Sequence, residues 1–231
     1  MKKDKLDKLD KSIVDRYCFI PNLIDPVFNL KLCSKIRKRK VIHDEFYEKK
    51  IIYTHIPKAA GSSIGIALIG SDTIGHFPLK YIKKLDPSLF NEAYKFSFVR
   101  EPFARLESAY NFLSVGGKGK WDNQWIKKHK LENVKFNDFV IEHLNEELMY
   151  SIIHLIPQHE FLYENNLLLC DHIGKIEKMD ESINIIKRDS GVNLNVNFHN
   201  INKSKKIDSE SDEAKNKVIK LYSKDYEKFE Y

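Results

Sequence analysis

The chain has 231 residues, 42% of them hydrophobic and 31% charged, with 39 basic against 33 acidic side chains and a net charge of +6. That length and apolar content suit one sizeable core, so a single folded domain is expected, and the modest positive excess suits an anionic ligand. Nucleic-acid binding is disfavoured, because the densest basic run, Lys35-Ile36-Arg37-Lys38-Arg39-Lys40, has no interleaved aromatics and reads instead as a solvated helix face or a peripheral contact with an anionic surface such as a membrane.

Residues 1–11 alternate Lys, Asp and Leu with no apolar stretch behind them, which predicts a disordered segment and not a secretory signal. No apolar run approaches the roughly 20 residues that span a bilayer, so a cytoplasmic location is expected. Cys18, Cys33 and Cys170 are odd in number and lack close ligand spacing, which predicts free thiols in a reducing compartment and no metal centre. Residues 12–50 read as the rest of an N-terminal appendage, broken by Pro21 and Pro26 before a basic helix at 29–40. The folded domain is then 51–231.

The domain opens on a strand at 51–56 that runs into His55-Ile56-Pro57-Lys58-Ala59-Ala60-Gly61-Ser62-Ser63 and a helix at 62–69 carrying Ile64, Ile66, Ala67 and Leu68. Free backbone N–H groups and the positive dipole end at such a helix start attract an anion, and the Lys58 ammonium lies in the turn before it. Ser62 and Ser63 read as anion ligands that can also cap the helix. The lysine precedes the glycine by three positions, whereas a Walker loop has Gly-Lys-Ser/Thr, which counts against a nucleotide kinase.

Residues 70–78, with Gly75-His76-Phe77, read as a loop or short strand, followed by a helix at 78–85. A strand at 95–100 places Arg100 at its carboxyl end, and Pro102 fits the first turn of a helix at 102–114. Leu106, Ala109, Tyr110 and Leu113 form the buried stripe of that helix, with Arg105 and Ser108 sharing another face. Arg100 and Ser108 form a second anion site, while Arg105 reads equally as a ligand or a structural ion pair. Gly116-Gly117-Lys118-Gly119-Lys120-Trp121 reads as a flexible basic loop of the kind that folds over substrates. Beyond it the pattern predicts helices at 136–146 and 147–155, strand material at 167–170 and 172–175, and helices at 179–190 and 208–228. Alternating strands and helices predict a three-layer α/β/α fold around a central parallel sheet.

The Lys58 turn and the Arg100-x-Pro102-x-x-Arg105-x-x-Ser108-x-Tyr110 pattern together resemble the sulfotransferases that use 3′-phosphoadenosine-5′-phosphosulfate (PAPS), in particular the carbohydrate enzymes related to heparan 2-O, chondroitin and HNK-1 sulfotransferases. Softer similarity runs through Pro157-Gln158-His159-Glu160-Phe161-Leu162, Ile173–Glu177, Asn202-Lys203-Ser204 and Tyr222–Tyr231. The resemblance implies a P-loop-like nucleotide-binding core, with a 5′-phosphosulfate loop at Lys58, Ala59, Ala60, Gly61, Ser62 and Ser63, and a 3′-phosphate site at Arg100 and Ser108. It also implies cofactor or acceptor contacts at Lys203 and Ser204, and a carbohydrate acceptor, with a peripheral contact of the Lys35–Lys40 run to a membrane or lipid-linked glycan. His76 resembles the Gly-His base of the heparan 2-O enzymes; His154 and His159 are rival bases, and His55 has a structural or orienting role. A catalytically inert glycan- or nucleotide-binding module is the alternative from another class.

Overall fold

The computed structural model of the protein describes residues 42–72, 74–196 and 211–231. The expected disorder at 1–11, the appendage up to residue 41 with its basic helix and Lys35–Lys40 run, Cys18, Cys33, and Asn202, Lys203 and Ser204 lie outside the described residues. The fold is mixed α/β with a small parallel sheet, and the chain divides into two compact units. Among the described residues no helix is long and apolar enough to cross a membrane.

The first unit comprises the described residues up to Val99 together with those from Glu160 to Val196. Helix α1 (Asp44–Lys49) leads into strand β1 (Ile51–Thr54), which is buried along its whole length, as expected of a parallel strand covered on both faces. Helices α2 (Gly61–Ile69), α3 (Leu79–Leu85) and α4 (Pro87–Glu92) carry the chain over to strand β2 (Tyr94–Val99), parallel to β1 with Ile51 opposite Tyr94. Asp86 starts α4 by accepting from Leu89 N at 2.9 Å, and Pro87 sits where no donor is needed. Ser97 Oγ donates to Thr54 O at 2.7 Å, and Tyr53 stacks on Phe96 at 4.9 Å, so the first two strands are joined by more than their ladder.

The second unit comprises Arg100–His159 and the described residues from Ser211 to Tyr231. Helix α5 (Pro102–Ser114) buries Leu106, Ala109, Tyr110 and Leu113, as the periodicity predicts. Turns at 115–119 then lead into α6 (Lys120–Lys128), so the expected loop ends in helix and Trp121 is helical, 41% exposed. Lys118 N is held by Asp122 Oδ2 at 3.0 Å.

The helix expected at 136–146 is a short turn, α7 (Phe136–Asp138), continued by a π-turn (Phe139–His143) that closes with Leu144 N on Phe139 O. The helix expected at 147–155 is not there: α8 (Glu146–Met149) stops and turns follow to residue 156. Pro157 biases Ile156 away from helix, Gln158 N donates to Asp225, and the carbonyls of His154, Leu155 and Ile156 accept from the Arg105 and Tyr222 side chains.

The remaining strands belong to the first unit. After helix α9 (His159–Leu162), strands β3 (Tyr163–Glu164) and β4 (Leu167–Leu168) form a separate antiparallel hairpin whose turn residues Asn165 and Asn166 both have positive φ. Leu167–Cys170 therefore contributes no strand to the parallel sheet. Strand β5 (His172–Lys175) does, pairing parallel to β2 with Phe96 opposite His172 and giving the order β1-β2-β5. Gly174 admits helix α10 (Met179–Ser190), because a Cβ there would lie 2.6 Å from the Phe98 ring and 2.8 Å from Ser182 Cβ. Burial pushes the free Cys170 thiol up to about 12, so it remains protonated and packed.

In the second unit the C-terminal helix is two helices, α11 (Asp212–Leu221) and α12 (Ser223–Phe229). They part at Tyr222, a buried side chain whose hydroxyl donates to Leu155 O at 2.7 Å.

Candidate functional site

In the first unit the chain leaves β1 through His55 and enters α2 at Gly61. Lys58 (φ 67°) and Ala60 (φ 58°) both lie in the left-handed region, and Ala59 between them does not. Non-glycine residues adopt that region at a cost of about 1–2 kcal/mol, so packing must hold them there. Ala59, with no exposed surface, and Pro57 provide the packing. Ala59 N donates to Ile56 O at 3.3 Å, which closes the turn just before Ala60 and Gly61 lead into α2.

The N-cap of α2 is Ala60, whose methyl cannot accept a hydrogen bond, and the first turn carries no acidic residue. Ser62 and Ser63 are the second and third residues of the helix and do not cap it; Ser62 is exposed and Ser63 half-buried. The start of this helix thus offers backbone donors and two hydroxyls beside the Lys58 turn.

His55 explains the glycine. Its ring lies across Gly61, where a Cβ would fall 1.7 Å from the ring atoms, and it packs 4.3 Å from the His76 ring. His76 Nδ1 is 3.0 Å from His55 O. A carbonyl only accepts, so Nδ1 carries the hydrogen and Nε2 of the neutral ring carries the lone pair. The structure therefore brings His55, Gly61 and His76 together and orients His76 in the tautomer a proton acceptor requires.

In the second unit the motif at 100–110 separates into two classes. Arg105 has no exposed surface; Nη1 donates to His154 O at 3.2 Å, Nη2 to Ile156 O at 2.9 Å, and the guanidinium lies 5.8 Å from the Tyr222 ring. Tyr110 is likewise buried, its hydroxyl donating to Val134 O at 2.6 Å. These two hold the unit together, which decides Arg105 against a ligand role. Arg105→Met should cost about 3 kcal/mol, because two buried carbonyls lose a charged donor; urea denaturation measures this, and an unchanged midpoint would show that the carbonyls find other partners.

Arg100 and Ser108 are the half-buried members of the motif. Arg100 follows β2 directly, and its backbone is held at both groups: its N donates to Gln158 Oε1 at 3.0 Å and its O accepts from Gln158 Nε2 at 2.8 Å. Glu101 caps α5 through Phe103 N and Ala104 N, so its carboxylate serves the helix start.

The rival bases are placed differently. His154, 6% exposed, lies 3.7 Å from buried Asp122 and packs edge-on to Phe112, a core position. His159 Nδ1 lies 2.6 Å from Asp225 Oδ1, which gives it an oriented ring too. The support residues Gln158 and Asp225 were legible only as members of soft motifs.

A family model described as "Sulfotransferase family" matches residues 43–231. No curated protein and no solved structure matches the chain.

Proposed function

Because the chain belongs to the sulfotransferase family, we propose that it moves a sulfuryl group from PAPS to a hydroxyl of a carbohydrate acceptor, a polysaccharide, oligosaccharide or glycolipid, by in-line transfer without a covalent enzyme intermediate. The observation that carries this reading is the turn at Lys58–Gly61, with left-handed Lys58 and Ala60 opening a helix that no side chain caps. That arrangement fits a phosphosulfate, whose charge would meet backbone donors and an ammonium.

In this reading the Ala60–Ser63 backbone and the Ser62 and Ser63 hydroxyls hold the 5′-phosphosulfate, while Ala59, whose N–H goes to Ile56 O, shapes the turn. Lys58 stabilises the negative charge that grows on the phosphate oxygen as its bond to sulfur breaks. Arg100 and Ser108 bind the 3′-phosphate, with Lys203 and Ser204 assigned to the same cofactor by their motif. His76 Nε2 takes the acceptor's proton as the new oxygen–sulfur bond forms, leaving 3′-phosphoadenosine-5′-phosphate (PAP) as product. The three parallel strands then form the heart of a three-layer, P-loop-like core.

The test is calorimetry followed by turnover. The protein should bind PAP in preference to 5′-AMP or ATP, and Arg100→Ala should weaken PAP binding by about 2 kcal/mol, the order of a charged hydrogen bond. Equal affinity for PAP and AMP would remove the 3′-phosphate assignment. Labelled PAPS offered with a panel of glycans should transfer label; none transferred to any glycan would remove the carbohydrate acceptor.

A further inference from the structure

We infer that Gln158, Asp225 and Tyr226 are positioning residues for a nucleoside 3′-phosphate, fixing Arg100 and the start of α5 from the C-terminal helix α12. The inference rests on the assignment of Arg100 to that phosphate.

Arginine can select a phosphate only if its backbone is fixed, because the long side chain otherwise samples many positions. Gln158 has no exposed surface, and its amide spans Arg100 with one donor and one acceptor, so a flipped amide would set like against like at both ends. Gln158 is itself held from behind. Its N donates to Asp225 Oδ2 at 2.7 Å, while His159 N and Nδ1 reach Asp225 Oδ1 at 2.9 and 2.6 Å. Asp225 is wholly buried, and three donors compensate the loss of water around its charge.

The adjacent residue on α12 holds the next position of the motif. Tyr226 Oη donates to Glu101 Oε1 at 2.6 Å, the oxygen that also accepts from Phe103 N. Burial, reinforced by the Glu101 carboxylate, raises the Tyr226 phenol well above the ordinary tyrosine range, so the donor persists at neutral pH. Consecutive residues of α12 thus reach Arg100 through Gln158 and the cap of α5, which carries Ser108, through Glu101.

The experiment is calorimetry on the full-length chain with PAP and 5′-AMP, with folding checked by circular dichroism. Gln158→Ala should weaken PAP binding roughly tenfold while 5′-AMP binding stays unchanged, and the loss should vanish in an Arg100→Ala background, since the amide acts through that residue. Tyr226→Phe removes one hydroxyl and should weaken PAP several-fold with 5′-AMP again unchanged. It decides the matter should Gln158→Ala fail to fold. A wild type that does not distinguish PAP from 5′-AMP would overturn the 3′-phosphate assignment and this inference with it. A wild type that does, combined with equal losses for both nucleotides, no loss in either variant, or a Gln158→Ala loss that persists without Arg100, would overturn the positioning role alone.

Discussion

Lys58→Ala is expected to lower kcat by about 10²- to 10³-fold, the range found when one preorganised donor to a developing anion is removed. PAP affinity should change far less. The reason is the timing of the charge: the bridging oxygen becomes strongly negative only as its bond to sulfur lengthens, so an ammonium in the turn acts chiefly on the transition state. Alanine retains a Cβ, so the left-handed backbone at this position (φ 67°) carries the same cost and the turn is not relaxed by the substitution. Steady-state kinetics with PAPS and an accepted glycan provide the measurement. Near-normal kcat with a proportional rise in KM would make Lys58 a ground-state ligand and overturn its assigned role.

His76→Ala should depress kcat by roughly 10²-fold with cofactor affinity almost unaffected, the scale of a lost general base. The hydrogen bond from Nδ1 to His55 O leaves the lone pair on Nε2, and protonation of the ring removes it. Wild-type kcat/KM should therefore fall as pH is lowered, and that acid limb should be missing in the variant. A fully active variant would move the base to His159, whose ring Asp225 orients in the same sense.

The sequence by itself determined the units whose causes are local. The apolar run of β1, the proline at the start of α5 and the spacing of Leu106, Ala109, Tyr110 and Leu113 act within a turn or two of chain, and those elements form within about two residues of the expected limits. The Lys58 turn and Arg100 were legible for the same reason: a lysine, a glycine and two serines after a strand, and an arginine before Glu-Pro, are patterns of neighbours. Where partners are distant, local pattern misled. Residues 147–155 have the composition of a helix, yet α8 ends at Met149, and the carbonyls of His154, Leu155 and Ile156 accept from the distant Arg105 and Tyr222 side chains instead. Arg105 has the same sequence context whether it binds phosphate or braces a core. Only tertiary structure, by placing the carbonyls of His154 and Ile156 against its guanidinium, assigned it to the core. The brace behind Arg100 is likewise tertiary: Gln158 reaches it across 58 positions and Tyr226 reaches Glu101 across 125. A side-chain hydrogen bond depends on a few ångströms of final geometry that packing of the whole unit decides, and residue type supplies only the capacity to form it.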